Sequence, residues 1–77
     1  MTDLNSNPSD HEVEDRVKVA LSRLEFPCLK RLPVRVSDGI AFLEGRVPTF
    51  HQRQLAIHAC QRVAGVKEVV DAIEVDL

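Results

Sequence analysis

VSDGIAFLEGRV, residues 36–47, carries two glycines six positions apart, Gly39 and Gly45, around a run that is apolar on both parities. In an extended chain, Ile40 and Phe42 point to one side, Leu43 and Val47 to the other. Asp-Gly at 38–39 is a strong two-residue hairpin signal, because a type I′ turn needs positive φ at both central positions. Taken literally, the turn sets a register in which Val36 faces Ala41, Val34 faces Leu43 and Leu32 faces Gly45. Upstream, RLPVRVS alternates Leu32, Val34 and Val36 with Arg31, Pro33, Arg35 and Ser37, the pattern of a half-buried strand. The two strands agree on which parity is inside, and that agreement supports the hairpin.

Working outward, SDHE at 9–12 reads as a capping box, Ser9 at N-cap and Glu12 at N3. Val13, Val17, Ala20, Leu21 and Leu24 then form one helical stripe. Pro27 disfavours helical geometry at Phe26, so this helix should end near Glu25. After the hairpin, Pro48 and a second box of Thr49 and Gln52 open another helix, with Leu55, Ala56, Ala59, Cys60 and Val63 inward. The small residues on that face suggest close helix–sheet packing over the bare Gly45. Gly65 fits the C′ position of the helix. VVDAIEVDL makes a third strand, with Val69, Ile73, Val75 and Leu77 inward and Asp71 breaking the parity near its start. The order is α-β-β-α-β. Pro33 cannot donate to a ladder and belongs on an edge strand, so the sheet is mixed and ordered 1-2-3. Both helices cover one face and the other stays open, an α+β fold.

The chain has 77 residues, enough for one domain with a marginal core. MTDLNSNPS, residues 1–9, reads as a disordered tail, leaving a domain over 10–77. The net charge of −2 and the absence of Trp and Tyr disfavour a nucleic-acid platform. There is no basic n-region followed by an apolar h-region, and no apolar run of transmembrane length, so the expected location is cytoplasmic. Cys28 and Cys60 are then expected as reduced thiols.

The ordered combination of VRVSDGIAFLEGRVPTFHQR and VAGVKEVVDAIEV resembles the BON domain, the module of bacterial osmotic-shock and nodulation-related proteins. The likeness extends over nearly everything after the tail. It implies two helices on one face of a three-stranded sheet, no catalytic constellation, and a lipid- or partner-binding role. Gly39, Gly45, Gly65 and Val66 stand at the family's framework positions. Phe42 stands where the family usually has a polar residue.

The residues offer little chemistry. His51 and His58 share a helix face while Cys60 projects elsewhere, without CxxC or HxxxH spacing, so neither metal nor cofactor is expected. Cys28 has no oriented partner that would make it a nucleophile, and the carboxylates are scattered. No glycine-rich phosphate loop and no GXXG clamp is present. An enzyme is therefore not expected. Two binding surfaces remain. Ile40, Phe42, Val70 and Ala72 should form an apolar centre on the open sheet face, with Arg35 across from Phe42 and Arg46, Glu44 and Glu74 around it. That layout suits another protein or a second copy of the chain. The alternative is a phospholipid surface met by the 26–31 loop, with Phe26 and Leu29 dipping in and Lys30 and Arg31 on headgroups. The competing reading of Phe26 and Leu29 is that they close one end of the core.

Overall fold

A computed structural model of the chain describes residues 9–76. The tail expected over residues 1–9 thus lies outside the described residues apart from Ser9, as does Leu77. Ser9 belongs to the folded unit: its hydroxyl accepts the Glu12 N–H at 3.2 Å and caps helix α1, Asp10–Ser22. The Glu12 carboxylate lies toward Arg16 at 3.8 Å. Helix α1 stops at Ser22, short of the expected Glu25, because its last turn tightens. The N–H groups of Arg23 and Leu24 reach the carbonyls of Ala20 and Leu21 at 3.3 and 3.1 Å.

The 26–31 segment is not a plain loop. Pro27 opens a single helical turn, α2, Pro27–Lys30, where its fixed φ is already helical. Phe26 before it is extended, as a residue preceding proline prefers. Strands β1 (Val34–Ser37) and β2 (Ile40–Val47), helix α3 (Phe50–Gln61) and strand β3 (Glu68–Val75) follow. The sheet is mixed and ordered β1-β2-β3, as the sequence implied. β1 is antiparallel to β2, and β2 is parallel to β3.

Asp38 and Gly39 have φ of 54° and 81°, so the turn is the two-residue, left-handed one that Asp-Gly favours. Val36 pairs with Ala41 and Val34 with Leu43, the register deduced from that turn. Helix α1 secures it from outside. The Asp10 carboxylate accepts the N–H groups of Asp38 and Gly39 at 3.0 and 3.3 Å. One turn on, Glu14 accepts the Val36 N–H at 3.3 Å, so α1 lies along the free edge of β1 and occupies a donor there.

Three local readings need correction. Gly45 is bare for the sake of Leu32 and Pro33, not of α3. A Cβ there would lie 2.9 Å from Leu32 Cδ2 and 3.2 Å from Pro33 Cδ, on a backbone with φ of 112°. Gly65 is not the C′ residue of α3, which ends at Gln61 with Arg62 as its cap. It sits with φ of 100° in the following tight turn, where the Val66 N–H meets the Val63 carbonyl at 3.1 Å. Asp71 does not mark the start of β3. It is aligned with Leu43 on the helix side of the sheet and pairs there with Arg53 of α3.

The core lies between the sheet and the helices. Val13, Val17, Leu21, Leu29, Leu43, Val47 and Cys60 are almost free of solvent, and no buried residue among those described is polar or charged. Gly45→Ala should therefore lower stability by about 2 kcal/mol, since it adds both backbone strain and a clash with Leu32. A urea midpoint unchanged from wild type would contradict this assignment.

Candidate functional site

The outward parity of the sheet assembles in rows fixed by strand pairing. Ser37, Ile40 and Glu68 form one row, and Arg35, Phe42 and Val70 the next. Glu44 then aligns with Ala72, and Arg46 with Glu74. Ile40 and Phe42 are half-buried, Ala72 is exposed, and Val70 is 37% exposed. Arg35 lies over the Phe42 ring, its guanidinium carbon 5.6 Å from the centroid. Arg46 and Glu74 pair at 3.1 Å. The residues expected on this face thus occupy one contiguous surface, because a central strand aligns each of its side chains with one on either neighbour.

The two sheet edges are less available than this face. Beyond the Glu14 contact on β1, the other edge has its own acidic plug. Asp76 donates its N–H to the Val47 carbonyl at 2.8 Å, and alternation back along β3 turns the Ile73 N–H away from β2. That donor is taken by the Asp71 carboxylate at 2.9 Å. Carboxylates placed on edge donors discourage the addition of another strand.

The four residues of the expected lipid loop do not form one surface. Leu29 is fully buried, and Phe26 is half-buried with its ring edge-on to His51, centroids 6.3 Å apart. They close the core, while Lys30 and Arg31 stay exposed. A different groove, of about 590 Å³, runs between α1 and α3 over Val19, Ala20, Ala59 and Val63, with Asp15, Arg16, Arg23 and Arg62 around it. Val19 is 49% exposed there. Sequence reasoning missed this groove. Val19 lies off the apolar stripe of α1, and that displacement was the one available signal.

The thiols differ in setting. Cys28 donates to the Gln52 side-chain oxygen at 2.7 Å, which links α2 to the first turn of α3. Cys60 is buried in the core, and loss of solvent pushes its pKa up to about 11. A thiol so disposed stays protonated and is a poor nucleophile. His51 and His58 are both exposed, and among the described residues no three His, Cys, Asp or Glu side chains gather as a metal-binding group. Nor is any helix of the described residues long and apolar enough to cross a membrane.

The BON domain matches residues 9–76, nearly the whole chain. This chain belongs to the BON family. Membership brings the coarse character of a binding module rather than a catalyst. Comparison with curated proteins gives no match.

The raised Cys60 pKa carries a pH dependence. Its stabilising share is intact below the ordinary thiol value of 9.0 and is lost as pH rises through about 11, because the unfolded chain ionises first. Urea midpoints measured between pH 8 and 11 should fall more steeply for wild type than for Cys60→Ala. Parallel curves would show that the buried thiol does not carry the effect.

Proposed function

We propose that this BON domain is a non-enzymatic association module that binds protein through the open face of its sheet. The observation that carries the reading is the apolar centre of Ile40, Phe42 and Val70 ringed by Arg35, Glu44, Arg46, Glu68 and Glu74. An apolar centre within a charged rim is the layout of protein interfaces. Carboxylates occupy a backbone donor on each sheet edge, which favours the face over strand addition.

Neighbouring positions on opposite parities separate interface from core. Phe42→Ser should weaken association while leaving most of the stability in place. Leu43→Ser should destabilise the folded chain by about 3 kcal/mol or more, because Leu43 is fully buried. Melting temperature and light-scattering mass, read side by side on both variants, check this. Equal unfolding by the two would remove the interface.

A second reading, docking on an anionic phospholipid surface, draws support from the α1–α3 groove. Its apolar floor suits an acyl chain and Arg23 and Arg62 suit phosphate, while Arg16 is held by Glu12 and Ala64 and Asp15 offsets part of the charge. Each cation near such a surface contributes about 1 kcal/mol. In a sedimentation assay with phosphatidylglycerol vesicles at low salt, Arg23→Gln with Arg62→Gln should reduce binding more than Lys30→Gln with Arg31→Gln. The reverse order would return the lipid contact to the 26–31 segment.

A further inference from the structure

The two edges of the sheet are closed unequally. Helix α1 runs along β1, where Glu14 and Asp10 take the outward N–H groups of Val36 and Asp38. β3 is the end strand on the other side, and alternation turns the N–H groups of Val69, Asp71, Ile73 and Val75 outward. Of these, Ile73 alone has a side-chain acceptor among the described residues, the Asp71 carboxylate at 2.9 Å. We propose that the Asp71–Arg53 pair guards this edge against strand addition, and that it is kept for this purpose rather than for stability.

Asp71 is a charge on the helix side of an edge strand, aligned with the buried Leu43. A strand added to β3 would compete for the Ile73 N–H and take the last solvent from this carboxylate, whose side chain is 15% exposed. Asp71 also interrupts Val69, Val70, Ala72 and Ile73, an apolar and mostly β-branched run of the kind that recruits further strands. The pair is poorly suited to stabilising the fold. The Arg53 side chain is 34% exposed, yet its Nε is enclosed and has no hydrogen-bond partner among the described residues. Where a guanidinium is incompletely satisfied, pairing offsets little of the desolvation cost, and an apolar pair of similar volume holds as well or better. Arg53 is the counter-charge that makes an inward carboxylate tolerable beside the core.

Stability and association should therefore separate. The test compares the full chain carrying Arg53→Met with one carrying Arg53→Met and Asp71→Val, each also made with Phe42→Ser to silence the sheet face. Melting temperature, sedimentation velocity and amide hydrogen exchange are read on these and on wild type. Arg53→Met should melt below wild type, because it leaves a half-buried carboxylate unpaired, and should sediment as wild type does. Adding Asp71→Val should raise the melting temperature again and shift the chain to dimers or larger species. Exchange at the Val69 and Val75 amides should then slow by about tenfold or more, with or without Phe42→Ser. A double variant that sediments like Arg53→Met would overturn the guard. So would association that leaves those two amides unslowed or that Phe42→Ser abolishes. A double variant melting below Arg53→Met would show that the pair is kept for stability.

Discussion

Asp38 and Gly39 hold left-handed backbone side by side, and the rest of the chain is arranged around that two-residue turn. A turn of this type brings its strands back in one register, in which Val36 meets Ala41 and Val34 meets Leu43. A slip of one residue would carry Leu43 to solvent and Phe42 into the core. The Asp10 carboxylate reinforces the turn by accepting both of its N–H groups, so the first turn of α1 docks onto the hairpin as well as starting a helix. With Glu14 one turn further on, α1 is anchored through carboxylates as well as through the burial of Val13, Val17 and Leu21.

The same contacts shape the surface that is left over. Both strand-pairing edges carry an acidic side chain on a backbone donor, Glu14 at β1 and Asp71 at β3. Asp71 also reaches Arg53 of α3, so one carboxylate serves the sheet edge and the helix above it. With one donor taken on each edge and the helices gathered on one side, the outward parity is a broad surface left free among the described residues. Its apolar residues converge because β2 lies in the middle: Phe42 has Arg35 on one side and Val70 on the other.

Every buried residue among those described is apolar, and burial pushes the Cys60 thiol toward inertness. Polar contacts link the elements around this core: Cys28 on Gln52, Asp71 on Arg53, and Asp10 on the turn.

The sequence by itself determined the sheet: Asp-Gly named the turn, alternation named the inward parity, and Pro33 sent β1 to an edge. These signals are local, each acting over two to eight residues, and local signals survive without knowledge of the neighbours. It also put Phe42, Ile40, Val70 and Ala72 on one face, since parity follows from register. Only the tertiary structure decided what the residues outside the hairpin register meet. From the sequence Leu29 could either meet a bilayer or close the core, because its segment reads as a loop, and the turn after Pro27 delivers it into the core. Gly45 looked like clearance for a helix, and Leu32 fills the space instead. Asp71 looked like a break in a strand, and Arg53, eighteen residues earlier, accounts for it. The groove over Val19 needed α3 brought beside α1, a contact between segments some forty residues apart that no local periodicity encodes.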